Sequence, residues 1–134
     1  MGHKGRLKQY LEERYGPEVT RKKVLQKGKD KIRKYFNELK EEIHEYIESS
    51  SGDIEVAVDH EGHLADFRIE KKLLTFTGDD EKIWVFRVDV HDPKAPKSTL
   101  IDELSPSEKK CINKGKEELD SELLDSYVNL LIKE

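Results

Sequence analysis

Apolar residues recur along this chain with two different periods, and the change of period divides it. Up to about residue 48 the spacing is helical. Leu7, Tyr10, Leu11 and Tyr15 predict a short amphipathic helix over 6–15. Ile32, Tyr35, Phe36, Leu39, Ile43, Tyr46 and Ile47 draw one apolar stripe along a long helix over 18–48. Gly16 suits the position just past the first helix and Pro17 the first turn of the second. Val24 and Gly28 extend the long stripe only weakly. Gly28 costs about 1 kcal/mol against Ala in a helix and marks an expected kink. "SSSGD" (49–53) ends the helix.

Over 53–90 the period falls to two. Ile54, Val56 and Val58 alternate, then Ala65, Phe67 and Ile69, then Leu74 and Phe76. A fourth strand carries Trp84, Phe86, Val88 and Val90 on one face and Ile83 and Val85 on the other. "HEGH", "EKK" and "GDD" supply the turns between them. The aromatic Trp84/Phe86 face is the one expected to receive the long helix. "TLIDEL" (99–104) fits either an edge strand or a helical turn. Ser105-Pro106-Ser107-Glu108 reads as a capping box with proline in the first turn. It predicts a C-terminal helical region over 105–133, with a stripe of Ile112, Leu119, Leu123, Tyr127, Leu130 and Leu131. Gly115 or "LDSE" (119–122) would divide it. "QKGKDKI" (26–32) and "NKGKEEL" (113–119) echo each other faintly, as two Lys-rich amphipathic helices do by chance.

The expected fold is α+β: N-terminal helices, one of them long, a four-stranded antiparallel β-meander, and C-terminal helices packed on the sheet. The length of 134 residues suits a single domain over 1–134. Strands of about seven residues run roughly 23 Å, matching the helical stripe 32–47. Residues 20–31 are therefore surplus to the sheet, and are expected to project or to fold back at Gly28.

Composition narrows the class. Hydrophobic residues make up 34% and charged residues 40%, against roughly 45–50% and 25% in an average domain. Leu, Ile, Val and Phe number 35 of 134, above the roughly 20% below which chains stay disordered, so a thin core is expected. Cys111 is the one cysteine, which excludes an intramolecular disulfide. It is expected half-buried and inert. The first ten residues lack an apolar h-region, Arg6 breaks the myristoylation pattern, and "IWVF" is too short to span a bilayer. A cytoplasmic protein with no membrane partner is expected, and the small, Lys-over-Arg character suggests a bacterial or phage source.

Charge changes the picture most. Residues 1–34 hold twelve Lys or Arg against four Asp or Glu, a balance of +8. The remainder holds thirteen against twenty-five, or −12. Arg21, Lys22, Lys23, Lys27, Lys29, Lys31, Arg33 and Lys34 form the candidate binding surface. Phosphate binding by these residues would be steeply salt-dependent. Against it, Lys outnumbers Arg six to two in residues 21–36, and Lys lacks the bidentate fork of Arg. An acidic protein surface, or the acidic part of a second copy, is the favoured partner, and nucleic acid the alternative.

Catalytic chemistry is thinly supported. His60 and His63 flank a turn with Asp59 and Glu61, and His91 follows the fourth strand. These three histidines are weak metal candidates, because exposed histidines across a hairpin arise without metal and a site needs three or four ligands with support. Asp59 followed by Glu70-Lys71-Lys72 resembles the acidic-x-Lys arrangement of restriction-endonuclease-like nucleases, which would imply a metal-dependent enzyme. The tripeptide recurs at 38–40, 80–82, 92–94 and 108–110, so it carries little information. No phosphate-binding glycine loop or Gly-x-Ser-x-Gly elbow occurs, and no cofactor is expected. The reading is a non-catalytic protein-binding or adaptor-type protein acting through a polarised surface. The alternative is a nucleic-acid-binding regulator using 21–34.

Overall fold

The structure, a computed structural model, describes residues 3–90 and 94–132. It is α+β, with a long N-terminal helix, an antiparallel sheet and a C-terminal helix. Helix α1 runs His3–Glu42 and the short α2 His44–Ser49. The strands are β1 (Ile54–His60), β2 (His63–Ile69), β3 (Lys72–Gly78), β4 (Ile83–Asp89), β5 (Lys97–Ser107) and β6 (Lys110–Ile112). Helix α3 runs Ser121–Ile132. The strands pair in sequence order as one six-stranded meander, not the expected four.

Two departures have one cause. "TLIDEL" and Ser105-Pro106-Ser107 lie in β5, and the expected capping box is the turn into β6. Proline is tolerated there because β4 pairs with β5 only as far as Leu104, so the side of Pro106 away from β6 has no ladder to supply. The C-terminal helix therefore starts late. Asp120 caps it, its Oδ1 accepting the Leu123 amide at 2.9 Å. Residues 113–119 are turns and an isolated bridge, unlike the helical 26–32, so the sequence echo has no structural counterpart.

The first helix also differs. Gly16 and Pro17 do not end it: α1 is continuous for 40 residues with Pro17 inside. Proline removes one helical hydrogen bond and crowds the carbonyl four residues back. Here that turn is exposed, and water can solvate the freed carbonyl. Gly28 is not a kink. It is buried, and a Cβ there would meet Cys111 Sγ at 3.1 Å and Leu119 Cδ2 at 3.3 Å. Its missing side chain lets the helix close on β6. Residues 20–31 thus do not project. Val24 and Leu25 are buried with Gly28, because two extra strands widen the layer by about 10 Å. The helix ends at Ile43, whose carbonyl receives the Tyr46 and Ile47 amides that start α2.

The core lies on one face of the sheet. Register places Val56, Phe67, Leu74 and Phe76 on that face with Ile83, Val85 and Leu104, all buried. Phe76 sits between the helices, 5.2 Å from the Phe36 ring and 6.0 Å from Tyr127. The expected aromatic face is therefore reversed. Ile83 and Val85 face the helices, while Trp84 and Phe86 lie on the far side, half-buried. A bulge at Ile101 shifts the register between Val85–Asp102 and Phe86–Leu100. It leaves Asp102 inside, where its carboxylate accepts the Tyr127 hydroxyl (2.6 Å), the Glu103 amide (2.9 Å) and the Lys114 amide (3.2 Å). Burial first, then the Asp102 hydrogen bond, raise the Tyr127 pKa well above the ordinary phenol value.

Gly28→Val should destabilise the protein by about 2 kcal/mol through overpacking against Cys111. Adding Cys111→Ala should recover part of that loss, as measured by urea unfolding. Asp102→Ala leaves three donors without their acceptor and should cost about 3 kcal/mol, more than Tyr127→Phe.

Candidate interaction surfaces

The eight basic candidates separate once placed on α1. Three are used within the fold. Lys29 Nζ donates to the Asp79 carbonyl at 2.8 Å and Lys31 Nζ to the Leu119 carbonyl at 3.1 Å. Arg33 bridges Asp59 at 2.7 Å and Asp30 at 3.1 Å. The Asp59 hydrogen bond, opposed by burial, raises the Arg33 pKa. Lys34 lies 4.0 Å from Glu38, a loose exposed pair. Arg21, Lys22, Lys23 and Lys27 are all exposed. Arg21 and Lys22 line a cleft of about 370 Å³ with Pro17, Glu18, Asp80, Glu81 and Pro106, so acidic groups of the same chain partly offset them.

The histidines do not converge. Glu61 and Gly62 have φ of 51° and 81°, as a two-residue hairpin turn requires. His60 at one end faces Glu61 at 3.7 Å. His63 at the other lies 3.1 Å from Asp66, with Thr75 Oγ1 also donating to Asp66. His91 lies outside the described residues. Among the described residues no group of three His, Cys, Asp or Glu side chains could hold a metal ion. The acidic-x-Lys set is dispersed too. Asp59 is at one end of the β1–β2 pair and Glu70 follows the other end, about 20 Å away at strand spacing. Lys72 donates to the Leu131 carbonyl at the end of α3.

Cys111 is buried on β6 beneath Gly28. Burial pushes its thiol up to about 11, with Lys31 pulling weakly the other way. A thiol so placed is a packing group.

Two surfaces that the sequence reading missed stand out. The first is the uncovered sheet face. Cross-strand rows place Leu73 beside Val88, Thr75 beside Phe86 and Leu100, and Thr77 beside Trp84 and Glu103. Among the described residues no helix lies on this side. Trp84, Phe86, Val88 and Leu73 are half-buried and Leu100 is 38% exposed. Among the described residues no strand pairs with the outer edge of β5 over 97–101, which adjoins this face, since β6 bonds only to 105–107. Equal apolarity on both faces of β4 was the available signal.

The second surface is the N-terminal part of α1. Every residue from Arg6 to Tyr15 is exposed. The segment from His3 to Gly16, about 20 Å of helix, extends past the cleft where Pro17 and Glu18 meet Asp80, Glu81 and Pro106. Leu7, Tyr10, Leu11, Tyr15 and Val19 stay 42–58% exposed along α1. Arg14 stacks over the Tyr10 ring at 5.8 Å and donates to its hydroxyl at 2.8 Å.

No family model, curated protein or solved structure matches this chain. Among the described residues no helix is long and apolar enough to cross a membrane.

Native Cys111 should resist alkylation at pH 8 and react only as the protein unfolds, as followed by thiol titration in rising urea. Because the folded thiol holds its proton more tightly than the unfolded one, its contribution to stability is intact below about pH 9. It should decline as pH rises toward about 11.

Proposed function

We propose that this chain is a non-catalytic protein-binding module of the adaptor type, and that its protein partner covers the sheet face opposite the helices. The observation that carries the reading is the row of Trp84, Phe86 and Val88, with Leu73 and Leu100 beside it, left without helical cover. Aromatic side chains give large contact area at small conformational cost, which enriches them at the centres of protein interfaces. Glu103, paired with Lys82 at 3.5 Å, and the Asp66–His63 pair border the face with polar groups, in the manner of an apolar centre and a polar rim. The unpaired edge of β5 adds backbone donors and acceptors that an extended peptide could use.

The alternative reading, a nucleic-acid-binding regulator, is supported by the outward Lys22, Lys23 and Lys27 with the adjoining Arg21. It is weakened because Lys29, Lys31 and Arg33 are engaged within the fold.

A photoreactive residue at position 84, in the full chain inside its native host, should give a discrete protein adduct that the same group at the exposed Glu45 does not. Equal labelling at both positions would overturn the protein-binding reading. Mixed duplex DNA and RNA should show no binding at about 150 mM salt. Tight binding there, weakened by Lys23→Ala and Lys27→Ala with a shallower salt slope, would establish the alternative.

A further inference from the structure

The exposed arm of α1 has a pattern that its own fold does not use. Leu7, Leu11, Tyr15 and Val19 repeat every four residues and form one ridge along the helix. A coiled-coil seam would instead alternate steps of three and four. Continued at that alternation, the seam would place Arg14 and Glu18 on the axis. A strict four-residue ridge fits the groove beside a like ridge, with the helices crossing at about 50°.

The arm is also helical against its local preferences. It contains Gly5, Gly16 and Pro17, and a helical segment of this length is marginal in water even with favourable residues. Its apolar side chains together expose roughly 500 Å², within the roughly 300–600 Å² of a monomer's largest patch, which is often functional.

We propose that this arm pairs with the arm of a second copy of the chain, antiparallel, across a two-fold axis near residue 13. The ridge is symmetric about that position: Leu7 falls opposite Val19, and Leu11 opposite Tyr15. The same register sets Lys8 opposite Glu18 and Arg14 opposite Glu12, each pair occurring twice by symmetry. A parallel pairing would set each of these charges against itself. Glu13, which meets its own copy in this register, lies on the far side of the helix from the ridge, and Arg6 falls opposite Thr20. The crossing buries at most roughly 1,000 Å² in the pair, the lower end of specific interfaces. The expected dimer is therefore weak, in the micromolar range, and stronger at low salt. It leaves the sheet face free, so it stands independently of the partner proposed for that face.

Sedimentation velocity of the full chain in about 50 mM salt tests it. A monomer–dimer equilibrium is expected below about 200 μM. Leu11→Asp should weaken it at least tenfold, while the exposed position leaves the unfolding midpoint of the body unchanged. Lys8→Glu and Glu18→Lys should each weaken it about fivefold, and the two combined in one chain should restore it. Restoration requires residues 8 and 18 to face each other across the pair. A monomer at about 200 μM overturns the proposal. So does a dimer indifferent to Leu11→Asp, or a double variant weaker than either single one.

Discussion

One buried carboxylate joins the parts of this fold that local sequence does not connect. Asp102 comes from β5, the Lys114 amide from the loop after β6, and the Tyr127 hydroxyl from α3. A carboxylate in an apolar layer is costly unless its oxygens are filled, and three donors fill these. The bulge at Ile101 turns Asp102 inward, so an irregularity in one strand sets the position of a helix twenty residues later. That helix is held at its other end by cations. Arg87 and Lys72 donate to the carbonyls of Leu130 and Leu131, where the helix dipole is negative and backbone acceptors lack partners.

Both long helices lie on one face of the sheet, and this asymmetry organises the molecule. The covered face is narrow and tightly filled, to the point that Gly28 must lack a side chain for α1 to pass Cys111. The other face keeps Trp84 and Phe86. A chain with few apolar residues has thus placed two of its largest ones where its own helices do not reach. The charge polarity is less sharp in three dimensions than along the chain. Lys29 and Lys31 spend their ammonium groups on backbone carbonyls of the acidic body, and Arg33 closes on Asp59.

The sequence was most readable where pattern and turn chemistry agree. The first three strands alternate cleanly, and Glu61-Gly62 sits at the tip of its hairpin. It was ambiguous at β4, where Ile83 and Val85 compete with Trp84 and Phe86. Size favoured the aromatics, but which face is covered depends on where α1 and α3 land, a non-local fact. It misled at Ser105-Pro106-Ser107-Glu108, whose capping signature is overridden by the pairing of 105–107 with β6. It misled again at Gly16-Pro17, where helix-breaking residues sit inside a continuous helix. The eight basic residues were readily found, but not their partition, because the carbonyls that occupy Lys29 and Lys31 lie 50 and 88 residues away.

The contact between Gly28 and Cys111 also fixes an order of events. Each strand from β1 to β6 pairs with the next across a turn or loop, so the sheet can zip from neighbour to neighbour with little loop-closure cost. Helix α1 cannot complete its packing in that way. Its cover comes partly from β6 and Leu119, which leave the ribosome some eighty residues after it. The longest element of the protein is therefore among the first to be made and among the last to be enclosed. Until then, Val24, Leu25, Ile32 and Phe36 stay uncovered as well as the ridge of the arm, and a nascent chain presents more apolar helix than the finished protein shows at its tip.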